Sequence, residues 1–421
     1  MDKRRLWIIG VALLIITMVP LAAMFFPYPY SPTQPPRANE AGSTLQGIRE
    51  VVRANNQFAF KLYFELVKTE AGNVFYSPYS IFSALAMTYE GARGKTAEEM
   101  KNVFNFPESS VLRPNFAAIY NRINKAAEEY ELRTGNALWT QKDYPFLEEY
   151  LKTVEEYYGG KAAALDFIHE AEKSRETINA FIEEQTNHKI KDLIPPGVLN
   201  ELTRLVLTNA IYFKGDWKIG FNESLTMEED FWITPDRSVK VQMMHMHPNE
   251  TIRFNYADIG DLKILELPYK GGDVSMLIIL PENIEAPESS LTLEKLKEYR
   301  AQMKEEKLDE ICLPKFEIET KYFMRETLSN LGMPTAFTGE ADFSGMTGGR
   351  DLFIGQVIHQ AYVKVDEKGT EAAAATAVVM KLTAIPETKV FKADRPFIFI
   401  IMEKETGAIL FMGRISNPTG K

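Results

Sequence analysis

The chain of 421 residues has one cysteine, Cys312, so no intrachain disulfide can brace it. A lone thiol reads as a small buried hydrophobe, because a nucleophilic one needs an activating base beside it. Positive charge is also in deficit: 48 Lys and Arg against 58 Asp and Glu leave a formal charge of −10. No basic stripe is available to meet phosphates, which argues against nucleic acid as a partner. The stretch 116–135 sets Arg122, Lys125 and Arg133 against Glu128, Glu129 and Glu131, a mixed solvated face with no heparin-type basic helix. Catalytic motifs are missing too. There is no G-x-S-x-G elbow, no G-x-G-x-x-G turn and no H-E-x-x-H pair; His169-Glu170 begins one, but Lys173 stands where the second histidine belongs. "GARGKT" at 91–96 fails as a phosphate loop, because Tyr89 occupies the place of the first glycine. His245-Met246-His247 offers two imidazoles from one strand face with no third ligand in sight, so neither a metal nor a cofactor is expected. Nothing here argues for an enzyme.

What is present divides into two kinds of sequence. Lys3, Arg4 and Arg5 precede an apolar run from Leu6 to Phe26, the layout of an export signal and also long enough for a membrane anchor. Either reading puts the remainder outside the cytoplasm, secreted or held at the outer face of the membrane. The Pro- and Ser-rich segment 27–46 reads as an extended tether without packed structure. The body, 47–421, has a hydrophobic fraction for the whole chain of 45% behind it, ample for a core. Asn222-Glu223-Ser224 and Asn249-Glu250-Thr251 are sequons, used only where the host glycosylates exported proteins.

Periodicity in the body changes along the chain. Ile48, Val51, Val52, Phe58, Ala59, Leu62 and Leu66 recur at helical spacing. "SPYSIFSALAMTYEGA" predicts a second helix with Pro78 at its start, and "SRETINAFIEEQTNHKIKDLI" a third that runs to Pro195-Pro196. Later segments alternate instead. "LKILELPYKGGDVSMLIILP" predicts a hairpin about Gly271-Gly272, "QVIHQAYVKVD" a strand, and "RPFIFIIMEKETGAILFMGRISNP" a strand, turn and strand. Helices early and strands late make an α+β chain.

One segment fits neither habit. In "EKGTEAAAATAVVM", Glu367 to Met380, the four alanines Ala372 to Ala375 favour helix, whereas Thr376, Val378 and Val379 favour strand. Thr370, Ala372, Ala374, Thr376, Val378 and Met380 would share one face of a strand, with Glu371 on the other, and no proline intervenes before Pro386. Alone, so many small residues bury little, and the segment is expected as an exposed loop that a sheet could accept.

This hinge, together with "NVFYSPYSIFSALAMTYEGARGKTAEEM", "LVLTNAIYFKGDW" and the C-terminal "KADRPFIFIIMEKETGAILFMGRISNP", resembles the serpins, the serine-protease-inhibitor family, in order and over about residue 47 to the end. The resemblance implies three sheets with eight or nine helices and an exposed reactive-centre loop. It implies suicide inhibition: a serine protease attacks the loop as bait, and the cut loop inserts into the main sheet, dragging the acyl-enzyme with it. The thirteen residues Thr370 to Leu382 would span about 43 Å as a strand. Glu367, Gly369, Thr370, Glu371, Ala372, Ala373, Ala374, Ala375 and Thr376 match the hinge and inserting segment. Counting seventeen residues from Glu367, as family inhibitors do, puts the reactive bond at Thr383–Ala384, with Leu382–Thr383 one residue away. Both registers suit a subtilisin-like protease and Leu382 a chymotrypsin-like one. Trp217, Lys315 and Glu367 match the breach where the loop first enters, with Glu367 expected to pair with Lys315 at an exposed site. Ser77, Ser80, Asn209 and His359 match the shutter, a polar cluster beneath the parting strands. The molecule is expected to be a monomer. A serpin that no longer inhibits and serves as chaperone, carrier or storage protein is the alternative.

Overall fold

The computed structural model describes residues 37–125, 130–134, 137–208, 211–284, 291–370 and 388–420. The apolar run from Leu6 to Phe26 expected as an export signal or anchor, Asn209 and the loop from Glu371 through the reactive-bond candidates Leu382, Thr383 and Ala384 lie outside these.

Among the described residues there are nine α-helices. The first, Leu45–Thr69, starts where the Thr44 side chain caps the Gly47 amide, and its Val51, Phe58, Ala59, Leu62 and Leu66 stripe is buried. Pro78–Gly91 follows with Ser77 as N-cap and Pro78 in the first turn, where a missing N–H costs nothing. This helix is buried on nearly every side, which is why its sequence is apolar almost throughout.

Two expectations are corrected here. The tether is shorter than 27–46. Ala38 is buried and exchanges hydrogen bonds with Asn121, while the Asn39 amide donates to Glu156 O at 2.6 Å, so the chain is tied to the body before the first helix begins. The third predicted helix also ends early, at Gln185. Asn187 and His188 take left-handed φ values of 51° and 59°, ending the helix ten residues before the prolines. The following Ile190, Leu193 and Ile194 drop into an apolar cluster with Trp139, Phe167, Ile178 and Ile182. Asn179 and Arg175 hold the Ile194 carbonyl there.

Among the described residues the strands form five sheets. A seven-stranded sheet runs Val74–Tyr76, Ile409–Ile415, Phe397–Glu403, Val274–Pro281, Leu262–Pro268, Phe254–Asp258, Lys304–Glu306. It contains the predicted Leu262–Pro281 hairpin and the C-terminal strand pair. A four-stranded sheet runs Val390–Lys392, Glu310–Pro314, Arg237–Met246, Met227–Thr234. One three-stranded sheet runs Lys161–Leu165, Ala137–Gln141, Leu205–Thr208; another runs Gly369–Thr370, Ile211–Asp216, Tyr130–Thr134; and a two-stranded leaf pairs Phe316–Phe323 with Ile358–Val365. The turn Asp366–Gly369 connects this two-stranded leaf with the leaf of Ile211–Asp216.

Candidate functional site

The strand Ile358–Val365 does not continue into an open loop. At its end Asp366 and Gly369 form an antiparallel bridge, with amide-to-carbonyl distances of 2.9 and 3.2 Å in the two directions, so the chain reverses. The two residues after the turn already pair with the other leaf, Gly369 opposite Asp216 and Thr370 opposite Gly215. Among the described residues, Ile211–Asp216 is hydrogen-bonded to this returning segment and to Tyr130–Thr134, and not to Ile358–Val365. Only glycine serves at 369. Its φ is +139°, and a Cβ there would fall 2.3 Å from the Gly215 carbonyl oxygen and 2.6 Å from the Trp217 nitrogen.

Trp217 anchors the turn from below. Its indole N–H donates to Asp366 O at 3.1 Å, and its amide donates to Lys368 O at 2.8 Å. The ring is buried, stacks on Tyr269 at 4.6 Å and meets Phe221 edge-on. The Phe221 amide donates to Glu367 O at 2.8 Å. Glu367 faces the other way and is gripped by two groups: Lys315 Nζ lies 2.7 and 3.0 Å from its oxygens, and the Thr226 hydroxyl donates at 2.7 Å. Burial alone would raise this carboxyl, but the ammonium and hydroxyl outweigh it and hold it below the usual carboxylate range. The pair joins as expected, with the Glu367 carboxylate withdrawn from solvent at 8% exposed and Lys315 reaching it from the surface at 37%. A cleft of about 660 Å³ opens beside it, with Lys214, Lys364 and Lys368 facing Glu223 and Asp366.

At the opposite end of Ile358–Val365, three of the four shutter residues meet. The Ser77 amide donates to His359 Nε2 at 3.0 Å, the Ser77 hydroxyl donates to Leu410 O at 2.6 Å, and the Ser80 amide donates to Ser77 Oγ. His359 is fully enclosed, and desolvation pushes its imidazole down to about 3, so it is neutral at physiological pH with Nε2 as acceptor. Its Nδ1 and the Ser80 hydroxyl have no hydrogen-bond partner among the described residues. The fourth residue, Asn209, lies outside them.

At both ends backbone carbonyls are held by side chains, Asp366 O by the Trp217 indole and Leu410 O by the Ser77 hydroxyl. Among the described residues no serine or threonine hydroxyl is bonded to a histidine ring. Cys312 Sγ does lie 3.4 Å from His245 Nδ1, but the thiol is buried, and burial with the nearby Glu310 carboxylate raises it far above its ordinary range. Arg122 pairs with Glu403 and Glu405, and Lys125 with Asp273.

Two groups at the site escape a reading of sequence. Thr226 grips Glu367 across 141 positions, and Glu310 with Cys312 supplies the further ligand-type atoms that His245-Met246-His247 lacked. Neither proximity has a local signal.

Comparison with known proteins follows the same geometry. Residues 53–418 match the family model described as Serpin (serine protease inhibitor). The chain is 46% identical over 377 residues to an uncharacterised serpin-like protein of Thermococcus kodakarensis, covering 88% of this chain and 86% of the relative. It is 41% identical over 385 residues to the leukocyte elastase inhibitor of Bos taurus, covering 88% and 100%. Among solved structures, human thyroxine-binding globulin superposes with a TM-score of 0.79 at 31% identity, covering 89% and 100%.

Proposed function

The chain belongs to the serpin family and has its fold, and from that premise we propose that it is a single-use inhibitor of serine proteases, with subtilisin-like or chymotrypsin-like enzymes as targets. One observation supports this above the others: the segment entering the loop has already turned back and begun an antiparallel pairing on Ile211–Asp216. Each further residue inserted would add ladder hydrogen bonds in that register, and the small residues Ala372 to Thr376 would meet little steric resistance. The protease would attack Thr383–Ala384, or Leu382–Thr383 in the neighbouring register. Insertion of the cut loop would then carry the acyl-enzyme away before water clears the ester. The inhibitor would act outside the cytoplasm, released or tethered through Leu6 to Phe26.

The experiment is to incubate the purified chain with a subtilisin-like and a chymotrypsin-like protease, then run denaturing gels and weigh the released peptide. We expect a detergent-resistant covalent band and the 38-residue peptide Ala384–Lys421. A peptide beginning at Thr383 would move the bond by one and keep the mechanism. Cleavage by both enzymes without a covalent band would transfer the reading to a carrier or storage serpin.

A further inference from the structure

We propose that the chain holds a zinc-class divalent cation between two strands of the four-stranded sheet, with His245 Nδ1, Cys312 Sγ and a Glu310 carboxylate oxygen as protein ligands. Cys312 sits directly opposite His245 in the antiparallel pairing of Glu310–Pro314 with Arg237–Met246. Nδ1 lies 2.8 Å from Glu310 Oε1 and 3.4 Å from Cys312 Sγ, and all three atoms fall within 4.8 Å of one another. A tetrahedral zinc with bonds of about 2.0–2.3 Å needs its ligand atoms at comparable separations, so side-chain adjustments suffice. Nitrogen, thiolate and carboxylate together favour this borderline-soft ion over magnesium or calcium, which take oxygen ligands.

A second observation on the same ring points the same way. The His245 side chain is 9% exposed, and its Nε2 lies at ion-pair distance, 3.0 Å, from Glu229 Oε1. A neutral ring carrying its proton on Nδ1 toward Glu310 would set the Nε2 lone pair against a carboxylate. A cation on Nδ1 moves that proton to Nε2, where Glu229 accepts it, giving the carboxylate–histidine–metal arrangement that orients metal-bound imidazoles. The proton balance closes. Cys312 releases its thiol proton to solvent, and Glu310 ligates as carboxylate. The cation's two charges are then met by one thiolate and one carboxylate. Glu310 is the partly exposed member of the set, with His247 Nε2 3.8 Å from its Oε1.

The location gives the ion a role. Glu310–Pro314 pairs in parallel with Val390–Lys392, which follows the loop, and Cys312 O accepts the Ala393 amide at 3.0 Å. Lys392 in turn reaches Glu229 at 2.7 Å. Metal binding would therefore stiffen the anchor of the loop's C-terminal end. None of this depends on the loop being inhibitory.

The test is cobalt titration of the reduced full-length chain, followed by absorption spectroscopy. One equivalent should bind with a thiolate-to-cobalt charge-transfer band that zinc displaces. Cys312→Ser should abolish the band, and Glu229→Gln should weaken affinity about 10–100-fold while leaving the band's position unchanged. Melting curves without metal would show that both variants fold. Saturation of the wild-type chain without a thiolate band, no saturable binding, or a band surviving Cys312→Ser would each overturn the assignment.

Discussion

His359 is a titrating side chain enclosed between the strand Ile358–Val365 and the start of the helix Pro78–Gly91. Its folded-state pKa, depressed by burial to about 3, lies below the ordinary value near 6.5. The unfolded chain therefore takes up the proton first as pH falls. Stability from keeping His359 neutral is complete above about pH 6.5 and is lost progressively toward pH 3, at up to about 1.4 kcal/mol per pH unit. Protonation would also remove the acceptor used by the Ser77 amide. Denaturant unfolding of the wild type should thus lose about 1–2 kcal/mol between pH 6.5 and 5.0, while His359→Gln should lose little over that window. Equal losses in both proteins would mean that other groups carry the acid sensitivity. The residue itself was legible, since its place in an alternating apolar run marks an inward face. Its partner Ser77, 282 positions away, was named only through family resemblance, because no rule of spacing connects the two.

At the scale of elements, the hinge turn is fixed by a backbone contact and a charge contact that can be tested separately. Gly369→Ala puts a methyl against the Gly215 carbonyl in a conformation that L residues avoid, a strain of about 1–3 kcal/mol. The first pairing on Ile211–Asp216 should be lost. The protease should then cut the variant loop faster than it is trapped, so that gels show a severalfold smaller covalent fraction; an unchanged fraction would show that the pairing at 369–370 is dispensable. Lys315→Met acts on the other contact. Breaking a buried pair costs about 3–5 kcal/mol, but Lys315 is 37% exposed, so about 1 kcal/mol is expected, read as a lowered melting midpoint. Element types were readable wherever one physical habit dominated: the Leu262–Pro281 hairpin from Gly271-Gly272, and the second helix from its apolar run with Pro78 at the start. The end of Ala171–Gln185 was not. The prolines at 195 and 196 are a real stop signal, but Ile190, Leu193 and Ile194 gain more by burial in their own cluster than by continuing a helix. Tertiary contacts outweighed the local stop.

Over the whole molecule, the leaf Phe316–Phe323 with Ile358–Val365 and the leaf of Ile211–Asp216 meet at one reversed turn, with Trp217, Glu367 and Lys315 at one end and His359, Ser77 and Ser80 at the other. The strand Ile358–Val365 runs between these clusters, so any residue added after Thr370 would lengthen the return path from the first toward the second. The measurement that tests this most directly is the melting temperature of the chain before and after its loop is cut at Thr383–Ala384 or Leu382–Thr383. Our account predicts a large rise on cleavage, because the freed segment completes a new strand with a full ladder of hydrogen bonds and buried small side chains. An unchanged or lower melting temperature would contradict it, since a cut loop that stays out of the sheet cannot displace a protease.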